Sequence, residues 1–276
     1  MVQRERENYL IQSVCHSLDV IDELSKAKSE LGVTELAKKL SLHKNNVFRI
    51  LSTLCTYGYV EQNPMTENYI LGPACLKIGQ SYLLQSDVIT RVRPLILELA
   101  KKTGETVSFA KMIDMSVYYP ISICSKQSVA VAQRLGNSLL ATECASGWAG
   151  MSSLTNEKLQ QDFPNCSTEL LKRITEIKAK GWYIDNGKHE KDVVCMVSTV
   201  YGLANSFIGV VEILAPKYRA DEGLLKRELL VTTEKISNLF ASGEKTLSSK
   251  IEKELSNCEG LEVKDSKNMT SVGSIR

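Results

Sequence analysis

The 276-residue chain is long enough for two domains, each with its own core. With 43% hydrophobic and 24% charged residues its composition is that of a soluble globular protein, which excludes global disorder, and its formal charge of +2 is too small to argue for nucleic acid by itself. The charged start MVQRERENYL and the short apolar run around residues 207–215, interrupted by Glu212, exclude a secretory signal and a membrane span and predict a cytoplasmic protein.

In chain order, Ile11, Val14, Leu18 and Ile21 fall at helical spacing and predict an amphipathic helix over residues 6–26. Gly32 interrupts the pattern, and Thr34 is placed to cap a short second helix with Leu36, Ala37 and Leu40 inward. A tight turn at residues 41–43 leads to a third helix over 44–57, with Val47, Ile50, Leu51 and Leu54 inward and Gly58 at its end. No good capping residue precedes Lys44, since His43 stands there. The period then changes to two, and Tyr59 to Glu61 and Tyr69 to Leu71, joined by the turn-rich residues 63–68, predict a hairpin. Three helices and a hairpin describe a winged helix-turn-helix over residues 1–72, followed by a linker helix within 73–86.

Beyond the boundary, helices are predicted over 88–102, 145–154, 157–161, 168–180 and 220–241, and strands over 106–113, 117–125, 193–199 and 208–215, with residues 129–134 continuing the sheet. The order is not strictly βαβ and favours an α+β fold, an antiparallel sheet with helices segregated from it, over residues 87–242. Residues 243–276, dominated by Ser, Lys, Asn and Gly, read as a mobile tail.

No acidic residue lies between Glu35 and Glu61, whereas Lys38, Lys39, Lys44 and Arg49 all do. The outward positions of the third helix are Lys44, Asn45, Asn46, Phe48, Arg49, Ser52 and Thr53. Arg pairs with guanine acceptors, Asn with adenine, and Phe touches a thymine methyl, so these positions suit base reading in a major groove. Lys38 and Lys39 are placed to hold phosphates, with the wing tip reaching a flanking groove. The eight cysteines (15, 55, 75, 124, 144, 166, 195 and 258) stand singly, without C-x-x-C or a close His pair, so no metal site or cofactor is predicted.

The stretches LGVTELAKKLSLHKNNVFRILSTLCTYGYVEQNPMTENYILGPACLKIG, KKTGETVSFA, ECASGWAG and KGWYID resemble the isocitrate lyase regulator (IclR) family of transcription regulators. That resemblance implies a GAF-like C-terminal domain binding a small effector, double-stranded DNA with a palindromic operator as partner, and dimers or dimers of dimers. It carries the effector site onto the amides of Ala145 and Ser146, onto Asp185 and onto Cys195, and it places Glu212 and Leu214 where relatives have serines and Trp148 where they have Lys. Serines and helix-start amides welcome a carboxylate, whereas a buried Glu beside Asp185 repels one and raises one of the two pKa values. The expected effector is therefore neutral or cationic, with an apolar or aromatic part stacked on Trp148.

Each residue has a plainer reading: Cys195 as a packed thiol, Asp185 as a turn former with Asn186 and Gly187, Trp148 as core, and Glu212 as solvent-facing if the strand register slips by one. Two other classes stand beside the DNA-binding regulator. One is a winged-helix sensor or scaffold binding protein; the other is a thiol enzyme pairing Cys144 or Cys195 with His189.

Overall fold

The computed structural model describes residues 9–131, 138–187 and 190–241, and the chain divides into two units between Ser86 and Asp87. Expectations for residues 6–8, 132–134, His189 and the tail at 243–276 lie outside the described residues.

In the first unit, α1 (Gln12–Lys26), α2 (Val33–Lys39) and α3 (Lys44–Thr56) precede the short strands β1 (Val60–Gln62) and β2 (Tyr69–Leu71), and α4 (Pro73–Gln85) follows. The core is small and apolar: Val20 and Leu24 of α1, Leu36 and Ala37 of α2, and Val47, Ile50, Leu51 and Leu54 of α3 meet Leu31, Val60 and Tyr69. The α3 positions are those that its spacing predicts. α1 differs from its prediction. Ile11, Val14 and Leu18 are exposed, whereas Ile21, the fourth residue of that spacing, packs at the edge of the core beside the fully inward Val20 and Leu24. Thr34 lies inside α2, whose first turn is preceded by Gly32. At the end of α3, Gly58 adopts φ +73°, a left-handed conformation that costs other residues energy, and the chain reverses into β1.

The wing is more than a hairpin. Leu31 bridges Tyr69, adding a third line of backbone pairing. Asn63 Nδ2 and Thr66 Oγ1 donate to the two oxygens of Glu30, at 2.6 and 2.5 Å, and hold this carboxyl below its ordinary range.

In the second unit, α5 (Asp87–Thr103) leads into β3 (Thr106–Ile113) and β4 (Ser116–Ile123), followed by β5 (Leu139–Leu140), α6 (Ala145–Met151), α7 (Asn156–Asp162), α8 (Thr168–Lys180), β6 (Trp182–Asn186), β7 (Val193–Tyr201), β8 (Phe207–Pro216) and α9 (Glu222–Ala241). The strands form one antiparallel sheet in the order β5-β4-β3-β8-β7-β6. One face packs against α6 and α8 through Trp148, Ile174, Ile177, Tyr183, Val197 and Val210; α5 and α9 lie against the sheet and each other.

Three sequence expectations need correction here. Residues 129–131 form no strand, and the sheet instead gains the two-residue β5. Asp185 does not shape a turn: it sits in β6, an edge strand paired to β7 throughout. The helix expected over 145–154 ends at Met151.

Removing the Glu30 anchor by Glu30→Ala is expected to speed hydrogen exchange at the Asn63 and Glu67 amides, which close the wing turn, while the Leu51 amide in α3 stays protected. Because the Glu30 pKa is lowered on folding, its contribution is present at neutral pH and fades as pH falls through its depressed value, so acid should mimic the mutation. Unchanged wing exchange in the variant would contradict this role.

Candidate DNA interface and effector pocket

At ~100° per residue, the four buried residues of α3 share one side, and Asn45, Arg49, Ser52 and Thr56 lie opposite. Lys44 and Phe48 flank this line on one side, Asn46 and Thr53 on the other. All of these side chains are exposed, as are Lys38 and Lys39 at the end of α2. Thr56 is a member of the face that the sequence reading did not include. Thr53 Oγ1 and Thr56 Oγ1 donate to the carbonyls of Arg49 and Ser52, which leaves their oxygens as acceptors. Lys39 is paired with Glu23 at 3.5 Å, whereas Lys38, Lys44 and Arg49 have no ion-pair partner among the described residues. Ser41, at φ 54°, makes the sharp turn that sets α3 against α2.

The expected effector residues gather on the sheet face beneath α6. Strand pairing sets Asp185, Cys195 and Leu214 side by side across β6, β7 and β8, and Glu212 opposite Val197 and Ser108. Glu212 is 3% exposed and Asp185 2%, so the strand register turns both inward. Ala145 and Ser146 open α6 above them, and Ser146 Oγ donates to Glu212 Oε1 at 2.8 Å, with Cys195 Sγ 3.6 Å from the same oxygen. A cavity of about 240 Å³ is lined here by Ala145, Asp185, Cys195, Glu212 and Leu214, joined by Tyr119, Leu139, Glu143, Cys144, Glu190 and Val193. The lining carries four carboxylates and, among the described residues, no Lys, Arg or His. A larger hollow of about 410 Å³ between α7 and α8 contains none of the expected site residues.

Trp148 does not belong to this cavity. Its ring is 1% exposed, meets Tyr183 edge-on at 5.8 Å and lies under the Arg173 guanidinium at 4.5 Å, and Nε1 donates to the Thr142 carbonyl. The stacking role expected for it fails because α6 turns this position into the core. Gly147 beside it is required by contact: a Cβ there would lie 2.1 Å from the Ala141 carbonyl oxygen.

Burial pushes the Glu212 carboxyl up to about 7; the donors Ser146 and Cys195 pull it back, and the charge of Glu190 adds to the rise. Desolvation is the leading cause, not the neighbouring Asp185 on which the sequence reading relied. Burial, followed by the charge of Glu212, also raises the Tyr119 phenol and pushes the Cys144 thiol up to about 12, and Cys195 rises for the same two reasons. Both thiols stay protonated at neutral pH, which removes the nucleophile from the thiol-enzyme reading.

Tyr119, Leu139, Glu143, Cys144, Glu190 and Val193 line the cavity without having been expected there from the sequence. Tyr119 comes from a strand whose inward positions change after an irregularity in the β3–β4 pairing. Glu143 and Cys144 open the ECASGWAG stretch, directly before the two amide positions that the resemblance picks out.

A three-helix unit with a wing and an exposed polar face on its third helix, joined to an α+β unit with a buried polar cavity, defines a one-chain helix-turn-helix regulator. Comparison with known proteins agrees. The family described as bacterial transcriptional regulator IclR C-terminal matches residues 80–238, and the IclR helix-turn-helix domain matches residues 13–64. The chain belongs to the IclR family of transcriptional regulators. It is 24% identical over 228 residues to the HTH-type transcriptional regulator XynR of Escherichia coli, covering 78% of this chain and 90% of that protein. The crystal structure of an IclR family transcriptional regulator from Brucella abortus superposes with a TM-score of 0.72 at 19% identity, covering 86% of this chain and 95% of that one. One from Alicyclobacillus acidocaldarius gives 0.69 at 22% identity, covering 83% and 99%.

The raised Glu212 pKa fixes the sign of a pH effect. The native state keeps a proton that the unfolded chain releases near 4.5, so stability is present at low pH and is lost as pH rises from about 4.5 to about 7. The expected loss is about 3 kcal/mol at ~1.4 kcal/mol per pH unit. Urea unfolding at pH 5.5 and 8 should show about 2 kcal/mol of this, the part that falls above pH 5.5, and Glu212→Gln should abolish it; an identical slope in the variant would refute the assignment.

Proposed function

We propose that this regulator reads a palindromic operator in duplex DNA with α3 and is controlled by a small effector that is neutral or cationic. The observation that carries the DNA reading is the two-sided α3: four buried side chains fix its orientation and leave Asn45, Arg49 and Ser52 at the centre of its exposed face. These residues suit base edges, with Lys44, Asn46, Phe48 and Thr53 around them, while Lys38 and Lys39 suit phosphates.

A second copy of the chain is the natural complement. The apolar stripe of Ile11, Val14 and Leu18 on α1, and Leu76, Ile78, Tyr82 and Leu84 on α4, are exposed, and α4 buries none of its side chains. Covering such faces in a dimer supplies the two reading helices that a palindrome needs, about one DNA turn apart. The effector acts by population shift, favouring one arrangement of the paired chains over another. Its class follows from the cavity: four carboxylates with no described basic residue oppose an acidic ligand, and a volume of about 240 Å³ suits a small one.

Binding of operator and random duplexes across a salt series tests the division of labour. Arg49→Ala is expected to cost about 1–3 kcal/mol on the operator and to relax base preference at one position of each half-site, with little loss on random DNA. Lys38→Ala should weaken all duplexes alike and reduce the salt slope by about one. Equal losses on both DNAs from Arg49→Ala, or no salt-dependent duplex binding at all, would overturn the reading in favour of a protein-binding winged helix.

A further inference from the structure

Two polar atoms in the cavity lining, Glu212 Oε2 and the Tyr119 hydroxyl, are buried without a hydrogen-bond partner among the described residues. The other Glu212 oxygen is occupied by Ser146 at 2.8 Å. Buried polar atoms are ordinarily paired, and a carboxylate oxygen at the floor of a cavity is an acceptor shaped for a donor from a ligand. Asp185 lies on the same sheet face, one strand beyond Cys195, and Glu143 and Glu190 add charge at the exposed end. Leu139, Val193 and Leu214 supply the apolar part of the wall.

Resting on the reading of this cavity as the effector site, we propose that the effector is a small primary amine. Its ammonium is held by Glu212 Oε2, the Asp185 carboxyl and the Tyr119 hydroxyl oxygen, with an aliphatic arm along Leu139, Val193 and Leu214. An ammonium presents three donors to these three oxygens. A guanidinium fork on Glu212 would have to share Oε1 with the Ser146 hydroxyl, whereas an ammonium needs only Oε2. A quaternary ammonium has no donor and needs an aromatic cage, which Trp148, turned into the core, does not provide. No group of three or more His, Cys, Asp or Glu among the described residues could hold a metal ion.

Binding releases a proton. In the empty cavity Glu212 is partly protonated near neutrality, and the incoming ammonium, charged throughout this range, requires the carboxylate. The carboxylic acid loses its proton to solvent and the ion pair forms, with no change in the ligand. The titratable groups that line the cavity with Glu212 are Cys195, Cys144, Tyr119, Asp185, Glu143 and Glu190; the two thiols and the phenol stay protonated in this range.

Isothermal titration of the full-length protein with n-butylammonium chloride, n-butanol and sodium butyrate at pH 6 and pH 8 tests this. Butylammonium should bind about tenfold more tightly at pH 8, with close to one proton released per site at pH 6, as loss of a proton near pH 7 requires. Glu212→Gln should lose at least tenfold of this affinity and its pH dependence, and Tyr119→Phe should lose severalfold while keeping it. Binding of butanol without butylammonium would overturn the amine and leave a non-acidic effector standing. Binding of butyrate in place of both would overturn that reading as well. Silence from every alkylammonium between ethyl and hexyl would also overturn the amine proposal.

Discussion

A carboxyl group in the middle of a sheet must be protonated, paired or fed with donors, because an isolated buried charge is prohibitively costly. Glu212 is in that position. It stands on β8 between β3 and β7, 3% exposed, with one hydroxyl donor at 2.8 Å and one thiol nearby. The surrounding architecture answers to this constraint. α6 begins where Ser146 can reach the carboxyl, and Gly147 allows the helix to close against the Ala141 backbone. Two further groups, Tyr119 and Cys144, are kept in their neutral forms by the same burial and by the same charge. The cavity that results is acidic and small.

The first unit solves a different problem with a simpler device. A core of about a dozen apolar side chains cannot rigidify a long element, but it fixes a short one well when a turn sets the angle. Ser41 in its left-handed conformation and Gly58 at the far end bracket α3, and four buried residues lock its rotation about its own axis. The exposed face is then a consequence of the buried one. The wing is held to the same body by Glu30, whose two acceptors receive Asn63 and Thr66, so its tip is a positioned loop. The apolar stripes of α1 and α4 are exposed, which is why a second copy enters the proposed function.

Much of this was legible in the sequence. The spacing of Val47, Ile50, Leu51 and Leu54 dictated α3 and its outward residues, because a strong helical period has one solution for burial. In α1 the spacing of Ile11, Val14, Leu18 and Ile21 is that of a helix, but of these only Ile21 packs against the core, because periodicity cannot say which of two apolar stripes meets the chain's own core. In the second unit, Asp185, Cys195 and Glu212 were placed by resemblance, and what the sequence left open, a turn role for Asp185 and a solvent-facing Glu212, is decided by strand pairing that turns both carboxyls inward. Trp148 was misplaced because a seven-residue helix buried on all sides shows no amphipathic period. Tyr119 was not legible, because an irregularity in strand pairing decides which way it faces.

The central claim is that Glu212 is a buried carboxyl titrating near neutrality, and its own ionisation is the most direct measure. Infrared difference spectra of the wild-type protein against Glu212→Gln, recorded from pH 4 to pH 9 without ligand, isolate that one carboxyl stretch. The account predicts a protonated band that persists past pH 6 and disappears with a midpoint close to 7. A band gone by pH 5, with the midpoint of an ordinary solvated carboxylate, would contradict it.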